Sequence, residues 1–190
     1  KKAVVCMPDS GSLNLQLPPR CQILIIGSGA AGLTAAIMAA EAGIKDIVVL
    51  EKEPIVGGSS MISGGQWAVS ETELQRRNGI LDTDSIFYAD MLRIGKNRND
   101  PQLVKKLIQV SREQYNWVLE HGVAPLALSA ASGMSRPRAH TFDAVAVMNL
   151  LLRMAARHNI PIITGARATE LLMSNGTTVS YTHLRAHETR

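Results

Sequence analysis

The strongest constraint on this chain is a glycine turn set between two apolar stretches. Ile23-Leu-Ile-Ile26 is a short buried-strand pattern, Gly27-Ser-Gly29-Ala-Ala-Gly32 follows at once, and Ala30 to Ala42 has the composition of a helix, with Gly43 placed to end it. A second strand pattern, Ile47-Val-Val-Leu50, comes next. A G-x-G-x-x-G run between a strand and a helix has a mechanical reading. The first glycine permits a tight turn, the second lets the backbone approach a pyrophosphate, and the third lets the helix pack closely on the strand. The helix N-terminus then offers N–H groups and a positive dipole end to the phosphates. The expected fold is α/β, with a parallel sheet and a Rossmann-type βαβ start. The alternative is a Gly-rich strand–helix turn that holds no ligand.

Glu51 ends the second strand pattern, close to the ~20-residue offset at which a carboxylate reads a ribose. It can accept hydrogen bonds from ribose hydroxyls and repels a 2′-phosphate, which disfavours NADP. A solvated strand end is the plainer account of Glu51. Glu51-Lys52 leads into Gly57-Gly58-Ser59-Ser60, and Ser63-Gly64-Gly65 follows. The combined G-x-G-x-x-G, E-K-x-x-x-x-G-G and S-G-G signature resembles the FAD-binding domain of the fumarate reductase and succinate dehydrogenase flavoprotein family. The resemblance runs from about residue 22 to residue 178.

That resemblance implies FAD as the cofactor and an oxidoreductase passing a hydride between the flavin and an activated C=C or CH–CH bond. It implies that Gly27, Gly29, Ala30, Ala31 and Gly32 line the pyrophosphate, and that Glu51 holds the ribose with Lys52 beside it. Gly58, Ser59 and Ser60 would pass the phosphates and ribityl chain, and Ser63, Gly64 and Gly65 would run near the flavin ring. Ala168 would meet the adenine through its backbone. A solvated loop is the other reading of Ser59, Ser60 and Ser63. Membrane-bound members join the flavin to a histidine in this loop; residues 57 to 66 contain none, so noncovalent FAD is expected. The substrate implied is a small molecule, an enoate or dicarboxylate. A ketosteroid-dehydrogenase-like flavoprotein and a noncatalytic FAD-binding module are the two alternatives. The family's FAD domain is built from two stretches around a capping domain. Only the first is expected here, and no catalytic residue is assigned.

Around this centre the chain is ordinary. Residues 1 to 20 hold Pro8, Gly11, Pro18 and Pro19 without periodicity and read as a linker or lead-in, with residues 21 to 178 forming the FAD-binding segment. Pro54 to Gly65 reads as loop and Ser85 to Lys96 as helix. Asp100-Pro101 starts another helix with Leu103, Leu107, Val110 and Trp117 on one face, ending at Gly122. Val123 to His140 reads as irregular, and Thr141 as the cap of a helix over Ala144 to His158. Strands are expected over Ile160 to Thr164 and Ala168 to Met173, with Asn175-Gly176 turning into a return strand at Thr177.

Several functions are disfavoured. Twenty basic residues against sixteen acidic give +4, in runs no longer than two, which does not make a nucleic-acid surface. Cys21 to Ala40 carries no charge, but its glycines suit strand, turn and helix better than a membrane span. Two cysteines do not make a disulfide scaffold or a four-cysteine zinc site. No secretory signal is visible, and the chain does not begin with Met, which leaves the compartment open. Arg136, Arg138 and His140 share one loop and are candidates for carboxylate binding and proton transfer, or an exposed loop with ordinary charges. Trp67 and Trp117 read as packing residues, with flavin stacking the alternative. Residues 179 to 189, eleven in a row, resemble a translated sequencing adapter, so 179 to 190 is expected to be a non-native tail. On that reading the spacing of His183, His187 and Glu188 is not a metal site.

Overall fold

The computed structural model describes residues 4–6, 20–174 and 177–185. The elements are β1 (Val4–Cys6), β2 (Arg20–Cys21), β3 (Ile23–Ile26), α1 (Ala30–Glu41), β4 (Ile47–Leu50), α2 (Gly58–Met61), β5 (Gln66–Ala68), α3 (Glu73–Arg77), α4 (Asp84–Ile94) and α5 (Pro101–Glu120). They continue with β6 (Ala127–Ser129), β7 (Ala139–Thr141), α6 (Ala144–Arg157), β8 (Ile162–Ile163), β9 (Ala166–Ser174) and β10 (Thr177–Arg185). The chain divides into one unit of residues 1–62 with 148–190 and a second of residues 63–147.

In the first unit, β3, β4 and β8 form a parallel sheet with β4 in the middle. The four residues of β4 are all apolar and all buried, as a strand covered on both faces requires. Strand β3 feeds through the glycine turn into α1, whose Leu33, Ala36 and Ile37 are buried. Helix α1 ends at Gly43, which takes a positive φ of 90°. The Gly43 N–H donates to the Ala40 carbonyl and the Ile44 N–H to that of Ala39, the bonding pattern of a Schellman cap. The uncharged stretch from Cys21 to Ala40 is thus strand, turn and helix. Among the described residues no helix is long and apolar enough to cross a membrane. A second sheet has the order β2-β1-β10-β9, with β9 and β10 antiparallel. Its β1 falls inside the expected lead-in, and β10 runs through the stretch that resembles an adapter. The Asn175-Gly176 turn, His187 and Glu188 lie outside the described residues; His183 is on β10, a strand and not a helix.

The second unit holds the antiparallel sheet β5-β7-β6 and helices α3, α4 and α5. Trp67, Tyr115, His140 and Phe142 form an aromatic cluster, in which Trp67 and Phe142 lie 5.8 Å apart and Tyr115 and His140 4.9 Å apart. The Trp67 Nε1–H donates to Ser111 Oγ at 2.7 Å. Trp117 stacks on His121 at 4.1 Å. Beside the aromatic cluster, Arg138 is fully buried. Its guanidinium donates to both carboxylate oxygens of Asp82, at 2.9 and 2.8 Å, and to Asp90 Oδ2 at 2.7 Å, and lies 4.7 Å over the Phe87 ring. Asp90 also accepts the N–H and hydroxyl of Ser135, which ties the loop before β7 to α4.

The structure departs from the sequence reading at definable points. Pro54 to Gly65 contains the single turn α2, and Val123 to His140 contains β6 and the start of β7; α3 and β5 had no sequence signal strong enough to name them. Helix α5 buries Val104, Ile108, Tyr115 and Val118, while Leu103 and Leu107 are 69% and 49% exposed. The buried face is displaced by one residue from the expected one, because Val104 and Ile108 pack with Phe87 of α4. The cap of α6 is Asp143, whose Oδ1 accepts from the N–H groups of Val145 and Ala146; Thr141 is the last residue of β7.

Burial alone would push the Asp90 carboxyl up, but hydrogen bonds from Ser135, Arg138 and Arg93 outweigh it and hold it well below the usual carboxylate range. A depressed folded pKa contributes stability above the ordinary carboxylate range, and that contribution is lost as pH falls through the folded value. Replacing Arg138 with Met should therefore cost about 3–5 kcal/mol of unfolding free energy at neutral pH, because buried Asp82 loses its cation and Asp90 keeps only the exposed Arg93. Urea denaturation of the variant measures this; an unchanged midpoint would mean that the triad does not hold the second unit.

Candidate functional site

The first unit gathers the glycine turn, the end of β4 and the Gly57–Met61 segment. Gly27 has φ of 103°, which disfavours any side chain there. A Cβ on Gly32 would run into the Gly27 carbonyl oxygen, so the first turn of α1 lies against the strand end with no room for a methyl group. A Cβ on Gly29 would lie 3.4 Å from Ser60 Oγ and 3.7 Å from the Gly57 carbonyl oxygen. The middle glycine therefore faces the Gly57–Ser60 segment across an ordinary van der Waals gap. Gly29 itself is the N-cap of α1, with extended backbone and no side chain to cap the helix. The Ala30 N–H donates instead to Ser60 Oγ at 3.1 Å, while Ala31 is exposed.

Glu51 sits under this turn and is 5% exposed. Its Oε2 accepts the Ser28 N–H at 3.0 Å and the Ser28 Oγ–H at 2.6 Å, and its Oε1 accepts the Glu53 N–H at 2.9 Å. Burial alone would raise the Glu51 pKa. Hydrogen bonds from Glu53, from the side chain and backbone of Ser28 and from the Lys52 backbone outweigh it and keep the carboxyl below its usual value. An ionised carboxylate has about four acceptor sites. Three are engaged at 3.0, 2.6 and 2.9 Å and the Lys52 backbone also hydrogen-bonds the carboxylate, so a ribose hydroxyl there would share an oxygen with these donors. Ser28 is itself fully buried, and its Oγ accepts the Gly57 N–H at 3.1 Å. Ser28, a small residue between two glycines, carries no pattern of its own and is missing from the sequence-derived site, and Gly57 enters the sequence signature without a role.

The remaining sequence-derived residues spread out. Gly58 and Ser59 open α2 and are exposed. Lys52 is exposed, with its Nζ 3.9 Å from Glu53. Ala168 lies on β9, paired with His183 of β10, and packs on the core of Cys21, Val48, Leu50, Ile163 and Ala166. Ser63, Gly64 and Gly65 belong to the second unit. There the Gly65 N–H donates to Ser63 Oγ at 3.3 Å and the Gly65 carbonyl accepts the Phe142 N–H at 2.9 Å. Gly65 has φ of 67°, and a Cβ there would strike the Phe142 carbonyl oxygen. Of the loop candidates, Arg138 and His140 are buried and Arg136 donates to the Leu81 carbonyl. His140 hydrogen-bonds through Nε2 to Thr72 Oγ1 at 2.9 Å and through Nδ1 to the Arg138 carbonyl at 2.9 Å. Arg138 and His140 therefore build the interior of the second unit. Among the described residues no three metal-ligating side chains cluster.

Known proteins resemble the chain throughout this region. The NADH:fumarate oxidoreductase of Klebsiella pneumoniae (strain 342) is 31% identical over 162 residues, covering 83% of this chain and 17% of that protein. The fumarate reductase (cytochrome) of Shewanella frigidimarina is 32% identical over 162 residues, covering 83% of this chain and 28% of that protein. The chain thus spans less than a third of the length of either relative. Among solved structures, the open conformation of a flavocytochrome c3 fumarate reductase superposes with a TM-score of 0.79 at 25% identity, over 87% of this chain and 32% of that one. The sequence profile of a family described as the FAD binding domain matches residues 22–188. With its glycine turn, buried strand-end carboxylate and parallel sheet in place, the chain belongs to this FAD-binding domain family, whose cofactor is FAD.

Proposed function

We propose that this chain is the FAD-binding part of a flavin-dependent oxidoreductase resembling fumarate reductase, acting on an activated C=C or CH–CH bond of an enoate or dicarboxylate. The observation that carries the reading is the glycine turn, where Gly27 holds a positive φ, Gly32 lets α1 start against the strand end and Gly29 adds no side chain at the helix start, with the buried Glu51 carboxylate beneath it. These residues fit FAD. Gly27, Gly29, Ala30, Ala31 and Gly32 would line the pyrophosphate, with a phosphate oxygen sharing or replacing the Ser60 hydroxyl at the Ala30 N–H. Glu51 would take a ribose hydroxyl beside its present donors. Gly58, Ser59 and Ser60 would follow the phosphates and ribityl chain, and Ala168 would offer backbone to the adenine. Ser63, Gly64 and Gly65 are assigned to the flavin ring. Bound flavin supplies hydride transfer; the protein's part is to bind and orient it.

Relatives named fumarate, acrylate and urocanate reductase support the enoate class of substrate. The test is to purify the full-length protein and assay it with reduced electron donor against fumarate, acrylate and a 3-ketosteroid. Reduction of the enoates is expected. Turnover of the steroid alone would transfer the chain to the steroid dehydrogenases.

Two predictions concern the cofactor. The purified protein should release its yellow flavin, as FAD, on acid or heat denaturation, because residues 57 to 66 have no histidine to bond it. Flavin remaining with the precipitated polypeptide would rule out noncovalent binding. Glu51→Arg should weaken FAD binding by about 2–3 kcal/mol, from a lost charge-assisted hydrogen bond and the added bulk at a buried position. Glu53→Arg, at an exposed residue, should change it far less. Dissociation constants from flavin fluorescence decide between them, and equal values would remove Glu51 from the ribose.

A further inference from the structure

The one hydroxyl of Ser28 joins two parts of the candidate site that the sequence separates by more than twenty residues. It lies 2.6 Å from Glu51 Oε2 and 3.1 Å from the Gly57 nitrogen, on a residue with no solvent exposure. The direction of each bond follows from proton counting. The Gly57 N–H can only donate, so Ser28 Oγ must accept from it. A hydroxyl has one proton, and that proton is then left for Glu51. The short separation to Oε2 matches an O–H···O⁻ bond, about 2.5–2.7 Å. Oε2 also accepts the Ser28 N–H at 3.0 Å, so it has no place for a proton of its own while this geometry lasts.

We propose that Ser28 is a positioning residue: it relays the negative charge of Glu51 to the Gly57 N–H, and so holds the Gly57–Met61 turn against the dinucleotide-binding turn in the geometry that binds FAD. This rests on the FAD reading above and adds to it a residue outside the pyrophosphate contacts. Protonating Glu51 would reverse the Glu51–Ser28 bond. A carboxylic acid at Oε2 would donate to Ser28 Oγ, the Ser28 proton would lose its acceptor, and the Gly57 N–H would face a hydroxyl no longer polarised by an anion. The charged groups next to Glu51 are its neighbours Lys52 and Glu53, which are exposed and lie 3.9 Å from each other. The remaining partners of the carboxylate are the neutral donors of Ser28 and the backbone of Lys52 and Glu53. The Ser60 hydroxyl, three residues beyond Gly57, reaches the Ala30 N–H at 3.1 Å, so a shift of this turn is felt at the start of α1.

The experiment follows the carboxylate and the amide separately, in the FAD-free full-length protein and its Ser28→Ala variant. Carbon-13 NMR of labelled glutamate reads the Glu51 titration, and the proton shift of the Gly57 amide reads the relay. In the wild type the Gly57 shift should titrate with the same midpoint as the Glu51 carboxyl. In Ser28→Ala the Glu51 midpoint should move up and the Gly57 shift should stop following it. The FAD dissociation constant should rise ~10-fold in the variant, the size of one charged hydrogen bond, and the acid limb of FAD binding should move up with the Glu51 midpoint. In the Glu51→Gln background, Ser28→Ala should cost much less than it does alone. The wild-type titration needs no variant, so a poorly folded Ser28→Ala protein leaves the test intact. A Gly57 shift that ignores Glu51, or a Glu51 midpoint and FAD affinity unchanged in Ser28→Ala, would overturn the relay. A wild type that shows the coupled titration but does not bind FAD would instead overturn the cofactor reading.

Discussion

The first unit depends on a single buried negative charge satisfied by neutral donors. Glu51 ends a strand buried on both sides, and an ionised carboxylate there would be costly if left alone. Instead the glycine turn brings in the Ser28 N–H and hydroxyl, and the bend after β4 brings in the Glu53 N–H. The geometry of the turn follows from this. Ser28 reaches Glu51 only if Gly27 takes its left-handed conformation, and α1 can start where it does only because Gly32 has no side chain to meet the Gly27 carbonyl. Strand end, turn and helix start are therefore one mechanical object.

The second unit solves the opposite problem with the opposite means. Its buried charge is the Arg138 cation, answered by the carboxylates of Asp82 and Asp90. Asp90 also accepts from Ser135 and from the exposed Arg93. A cation held in this way cannot turn to a carboxylate substrate without leaving Asp82 without its cation in the interior and Asp90 with Arg93 alone. Buried ion networks of this kind fix one arrangement of loop and helix more than they add stability. Here the loop so fixed leads into β7, which carries His140 to its place beside Tyr115.

How much of this was legible in the sequence depends on whether a local pattern or a long-range contact decides the outcome. The β3–α1–β4 start was legible because three local signals agree: an apolar run, glycines at fixed spacing, and a helix ended by Gly43. Asp100-Pro101 was legible for the same reason, and the Asp100 carboxylate does accept the Gln102 and Leu103 N–H groups. The short strands β5, β6 and β7 were not, because three residues show no alternation and β7 owes its place to pairing with both neighbours. The face of α5 was misjudged because leucines at 103 and 107 outrank Val104 and Ile108 in any local count, and only the packing against Phe87 selects the latter pair. In the site, the glycines and Glu51 could be named from spacing. Ser28 could not, and Gly57 stood in the signature without a role, since what they do lies in who meets whom across the fold. Arg138 illustrates the reverse error, a functional-looking residue whose partners turn it inward.

The choice of neutral donors around Glu51 bears on what the site accepts. Had a lysine or arginine supplied its hydrogen bonds, the carboxylate would be cancelled by a local cation, and a phosphate nearby would meet little net charge. The Ser28 and backbone donors stabilise the anion while leaving its formal charge in place, and the adjacent Lys52 is exposed beside Glu53. In a partly desolvated site, one uncompensated negative charge acts strongly on a second one a few ångströms away. Under the proposed reading, a ribose hydroxyl would donate to this anion, whereas a ribose 2′-phosphate would bring like charge to an anion that cannot readily take up a proton. The same hydrogen bonds that hold Glu51 ionised therefore make it selective, and selectivity and turn geometry rest on the same few atoms.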